Sequence, residues 1–174
     1  MLNKLYITPK QWLHILRWTV YSLLLLFCMM VQTVVLGNRV SLHPNFVPLV
    51  LTCVCLREGP ERGGTFALLG SLFWCLSGAD YGSLSIFILT LLPVFGSALC
   101  RAVLANRFLP CLLICLITLL TEQITIFFLR FFFEEISLAL LWQKLLPAAA
   151  VSMLFQPVIY LLVRQIAKIG DAYE

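Results

Sequence analysis

Charged side chains are scarce in this sequence, 11% of 174 residues, and the scarcity is uneven. Between Arg17 and Arg39 lie 21 residues without a charge, between Arg39 and Arg57 another 17, and between Arg62 and Asp80 another 17. A further 20 separate Asp80 from Arg101, and 19 separate Lys144 from Arg164. A sixth stretch, 108–129, holds a single charge, Glu122. A helix needs about 17–25 apolar residues to cross about 30 Å of hydrocarbon. With 61% hydrophobic residues and a mean hydropathy of +1.00, the composition excludes an ordinary soluble domain.

Other absences narrow the chemistry. Histidine occurs only at positions 14 and 43, near opposite faces of the expected bundle, so neither can activate a serine or cysteine across it. There is no H-E-x-x-H and no phosphate-binding glycine loop. The seven cysteines (28, 53, 55, 75, 100, 111 and 115) include no C-x-x-C pair. At hydrocarbon depth cysteine acts as a small apolar residue, so no metal or cofactor is expected. Six crossings and short connections leave no room in these 174 residues for a soluble domain. Any chemistry has to sit within the bundle or at its rims.

The basic residues that are present set the topology. With the N-terminus inside, the inner segments hold Lys4, Lys10, Arg17, Arg57, Arg62, Arg101, Arg107, Arg164 and Lys168, against Arg39, Arg130 and Lys144 outside. This nine-to-three bias predicts both termini in the cytoplasm. It also accounts for the net charge of +4 without any nucleic-acid role. The first apolar run is too long for a signal-peptide core, and no small-x-small site follows it, so it is read as a retained helix. Ahead of it, Trp12, Leu13, Ile15 and Leu16 with Lys10, His14 and Arg17 form an amphipathic lead-in at the headgroup level.

The expected fold is all-α: a single integral membrane domain, 1–174, with helices at about 18–36, 44–56, 63–78, 83–104, 108–133 and 145–166. The segment from Arg57 to Gly64 reads as a compact cytoplasmic loop. In the third helix, Gly63, Ala67, Ser71, Cys75 and Gly78 recur at spacings of 4, 4, 4 and 3. They make a small-residue face where backbones can approach closely, which predicts this helix at the centre of the bundle. Asp80, between Gly78 and Gly82, reads as an external turn.

Within the membrane the polar candidates are few. Glu122 lies near mid-span, where an ionisable group costs about 2.5–3.5 kcal/mol to insert, so it should face protein or water. Thr118 and Thr125, at i−4 and i+3, extend a polar stripe beside it. Such a carboxyl serves either as a proton or cation site or as a hydrogen-bonding group that fixes helix packing; the lack of an equally deep partner charge favours packing. Gln156, before Pro157, adds an amide and a freed backbone carbonyl in the last helix.

The order of these features is itself informative. Arg57-Glu58-Gly59-Pro60 leads into the small-residue helix, followed by Gly70-x6-Ser77-Gly78-x3-Gly82, then Glu122, then Pro147-x9-Pro157-x6-Arg164. Over residues 15–168 this resembles the bacterial rod shape-determining MreD family. The chain departs from that family's pattern at Trp74, where the family has Asp, and at Ser152, where it commonly has Asn. The resemblance implies a non-enzymatic scaffold of the cell-wall elongation machinery in the bacterial cytoplasmic membrane. Its implied partners are an MreC-like bitopic protein, the actin-like MreB, a RodA-type glycosyltransferase and a class B penicillin-binding protein. The implied fold is similar to the substrate-binding S component of energy-coupling-factor vitamin transporters, which is the alternative function. Such components carry small-x3-small on the first helix for docking, whereas Thr19 to Leu36 contains no Ala or Gly. An intramembrane enzyme is a weaker third reading, because no acid–base pair shares one depth.

Overall fold

The computed structural model describes residues 9–35, 44–77, 83–103, 108–134, 143 and 145–171. Among these there is no strand. Helix α1 (Pro9–Met30) continues into a π-helical turn, Val31–Val35. It is followed by α2 (Val47–Glu58), α3 (Pro60–Leu76), α4 (Ser83–Val103), α5 (Phe108–Glu134) and α6 (Leu146–Asp171).

The side chains are distributed inside-out relative to a soluble bundle. Leu23, Phe27, Leu69, Phe73, Phe95, Phe132 and Leu154 all point outward, while Ser71, Ser97, Thr118, Glu122, Ser152 and Gln156 are buried. Burying polar groups and exposing large apolar ones is favourable only where the surroundings are hydrocarbon. Four stretches are long and apolar enough to cross a membrane: Gln11–Val34, Leu84–Arg101, Phe108–Phe132 and Leu146–Ile169. This is a multi-pass membrane protein.

Helix α2 is different from all of these. Its 12 residues rise only about 18 Å, and every position from Pro44 to Leu56 is buried. The other helices surround it: α1, α3, α4, α5 and α6 all pack on α2, and neighbours join in the order α1–α6–α5–α4–α3. Among the described residues no helix closes the ring between α1 and α3. That gap is bridged at one end by Phe66, whose ring lies 5.7 Å from that of Trp18 and 6.3 Å from that of Tyr21.

The central position expected for α3 therefore belongs to α2. Helix α3 buries one face against α2 and α4 but leaves Leu68, Leu69, Leu72, Phe73 and Leu76 outward. Its closeness to α2 is set at Gly63, where a Cβ would collide with the Cα of Cys55. Ser71 Oγ lies 3.1 Å from Thr90 Oγ1 and ties the same face to α4.

The segment from Arg57 to Gly64 is helix rather than loop. Glu58 ends α2 and Pro60 starts α3, with Gly59 alone between them at φ 100° and ψ 172°. Only glycine adopts that conformation readily. The amphipathic lead-in is likewise continuous with the first helix, since α1 runs unbroken from Pro9.

Candidate functional site

Two polar clusters hold α2 in place, one at each end. The first is built on the non-helical residues Pro44–Phe46 that precede it. The amides that lead into a helix lack intrahelical acceptors, and in hydrocarbon no water can take their place. Here the acceptors come from neighbouring helices. The amide of Asn45 donates to Ser152 Oγ of α6 at 2.7 Å, and the amide of Phe46 donates to Gln32 Oε1 at 2.9 Å. Pro48, in the first turn of α2, has no amide to satisfy.

The Asn45 side chain extends the cluster in both directions. Its Oδ1 accepts from Gln32 Nε2 at 2.9 Å, and its Nδ2 donates to Glu122 Oε2 at 2.9 Å. Glu122 is 1% exposed, Ser152 and Gln156 are fully buried, and Asn45 is 9% exposed. A carboxyl at this point also faces the positive end of the α2 dipole. Gln32 occupies the π-helical turn, a local widening that shifts the helical register near the end of α1. Elements α1, α2, α5 and α6 are thereby fixed to one another through a single asparagine.

The second cluster lies at the other end of α2, so that α2 runs antiparallel to α1. The Glu58 carboxylate accepts from Arg17 Nη2 at 3.0 Å and from the Tyr21 hydroxyl at 2.9 Å. Arg101 Nη2 donates to the Glu58 carbonyl at 2.9 Å, bringing α4 into the same knot. The Arg17 and Glu58 side chains are 12% and 6% exposed, so this pair is shielded, unlike an ordinary surface ion pair. Arg57 and Arg164 line a cavity at this same end.

The residues singled out from sequence do not form one site. Thr118 donates to the Ile114 carbonyl and Thr125 to the Thr121 carbonyl, each back-bonding its own helix. Gln156 lies with the cysteines: its Nε2 is 3.7 Å from Cys111 Sγ. On α3, Gly63, Ala67 and Ser71 are buried but Cys75 is half-exposed, and Trp74 is buried in its stead. Four-residue steps rotate about 40° each around a helix of 3.6 residues per turn, so the third step has left the face. Gly78 and Asp80 lie outside the described residues.

Sequence reasoning missed Gln32, Asn45 and Glu58. The first two carried a usable signal, since each is an amide in or beside an apolar run, where an unpaired amide is costly. The cysteines also gather in a way that their spacing concealed: Cys53, Cys111 and Cys115 bring their Sγ atoms within 4.8 Å of one another. No family model, no curated protein and no solved structure matches this chain.

Proposed function

We propose that the chain is a non-enzymatic scaffold of the bacterial cell-wall elongation machinery, seated in the cytoplasmic membrane and packing laterally against partner membrane proteins. The observation that carries this reading is the open side between α1 and α3. There Ser22, Leu25 and Leu26 face Phe66, Leu69, Gly70, Leu72, Phe73 and Leu76 across a groove of about 470 Å³. It continues past Phe66 to His14, Trp18, Arg62 and Thr65 at the charged end. Helices associate in lipid by close van der Waals fit rather than by burial of apolar area, so a groove between two helices suits a third one.

The occupant that fits the reading is the single membrane-spanning helix of an MreC-like bitopic partner. MreB, a RodA-type glycosyltransferase and a class B penicillin-binding protein would complete the assembly. The motif order from Arg57-Glu58-Gly59-Pro60 through Pro147 and Pro157 supports the same family-level reading. So does the character of the two polar clusters, which tie helices together at every bond described above.

In this reading the chain crosses the membrane six times with both termini inside. Two observations support it. Asn45 is level with Gln32, just past α1, and Glu58 is level with Arg17 of α1, so the path from 45 to 58 runs beside α1 from Arg17 to its end. Arg17, Arg57, Arg101 and Arg164 gather at one end, as the positive-inside bias requires of a cytoplasmic face.

Depletion in a native host tests the proposal. Rod-shaped cells should round up or lose viability, and the tagged protein should co-purify with a bitopic MreC-like protein. Recovery with a pair of ATPases, together with tight vitamin binding by the purified chain, would reject the scaffold in favour of the transporter component.

A further inference from the structure

Cys53, Cys111 and Cys115 come from two elements that could hardly be better fixed. Cys53 belongs to α2, which is buried from Val47 to Leu56, and Cys111 and Cys115 are one turn apart on the inward face of α5. Cys53 Sγ lies 3.8 Å from Cys111 Sγ and 3.9 Å from Cys115 Sγ. A metal about 2.3 Å from each of three sulfurs sets those sulfurs about 3.8–4.0 Å apart. Two edges of the sulfur triangle therefore already have the length that a shared cation requires.

The surroundings fit such an ion. Gln156 Nε2 lies 3.7 Å from Cys111 Sγ, a donor of the kind that orients and stabilises a ligating thiolate. Cys53 and Cys111 also line a cavity of about 30 Å³, enough for a water or an ion, whose wall includes Arg57 and Arg164. Among the described residues no carboxylate or imidazole joins the three sulfurs, so the donor set is soft throughout. Hard cations that need oxygen ligands are excluded, and zinc wants a fourth ligand. A three-sulfur set suits a thiophilic d¹⁰ cation of the Cu(I) class.

We infer that Cys53, Cys111 and Cys115 form a three-thiolate site for a soft monovalent cation, of which Cu(I) is the representative. Binding is ligand exchange without redox change: up to three S–H bonds break, three metal–sulfur bonds form, and the protons leave through the cavity beside Arg57 and Arg164. The site is independent of the groove between α1 and α3, so it stands or falls separately from the scaffold reading.

The experiment is an anaerobic titration of the reduced full-length protein in detergent with Cu(I) against a competing Cu(I) chelator, followed by X-ray absorption. One equivalent should be retained, with three sulfur neighbours at about 2.3 Å. Cys53→Ser and Cys111→Ser should each abolish retention, tested separately so that either one failing to fold leaves the other. Cys28→Ser and Cys75→Ser should retain copper as the parent does, and Gln156→Leu should weaken it by about 10-fold. No retention by the parent protein overturns the inference. So does undiminished retention by a folded Cys53→Ser or Cys111→Ser variant, or a metal shell with fewer than three sulfurs.

Discussion

Asn45 joins three neighbouring elements at once, since it touches Gln32, Glu122 and Ser152 through its backbone and its side chain. Asn45→Leu keeps the backbone bond to Ser152 but removes the side-chain donor and acceptor together. Each hydrogen bond lost should cost about 0.5–1.5 kcal/mol, visible as a lower thermal midpoint in detergent. Glu122→Gln preserves shape and can still accept from Asn45, so folded yield should change little. Glu122→Lys should abolish it, because a Lys ammonium offers nothing for Asn45 Nδ2 to bond and an uncompensated charge would sit in the interior. Loss of cell function in Glu122→Gln with folded yield intact would point instead to proton chemistry at this carboxyl. Glu122 was conspicuous in the sequence as the only charge in its run, but its partner was not. Nothing in the pattern of the chain says that an amide 77 residues away will meet it.

At the scale of the element, α2 and α3 behave as one hairpin with a single connecting residue. Gly59→Ala should cost about 1–3 kcal/mol, because the φ of 100° and ψ of 172° are nearly closed to residues with a Cβ. That added carbon would also collide with the Arg101 guanidinium. On α3, Ala67→Leu should lower folded yield more than Leu68→Ala does, since Ala67 is fully buried and Leu68 faces outward. Equal yields from the two variants would mean that the face of α3 is misassigned. The close approach of α3 to α2 lies at Gly63, but which helix is central was not legible. Apolar runs look alike whether lipid or protein surrounds them. A short second helix was expected at 44–56, and the observed one is as short but shifted to Val47–Glu58, with Pro48 in its first turn.

Across the whole molecule, the hairpin makes the side of the termini insensitive to how deeply α2 and α3 cross. In the proposed topology a hairpin adds either two crossings or none, and the four helices long and apolar enough to cross, α1, α4, α5 and α6, add four, so the total stays even in both cases. Cysteine or reporter labelling should therefore find both ends of the chain on one side, and Glu61 and Asn106 on that same side. Asn38, Asp80 and Glu135 should report from the opposite side; any of the five on the wrong side overturns the six-crossing topology. The alternation of charges is what points to an even count in the sequence. It could not reveal the opening between α1 and α3, which depends on which helices neighbour one another rather than on how many there are. The cap on α2 has a further consequence, for synthesis. Gln32 precedes Phe46 in the chain, so one of the two opening amides can be satisfied as soon as it is made. The acceptor for the other, Ser152, follows Asn45 by 107 residues. A ribosome-bound intermediate that ends before α6 thus carries a bare amide at membrane depth, and it must either keep that turn hydrated or delay its entry into lipid. Assembly of the core is then complete only when the last helix arrives, and nascent chains cut short of it should be the ones that membrane proteases clear.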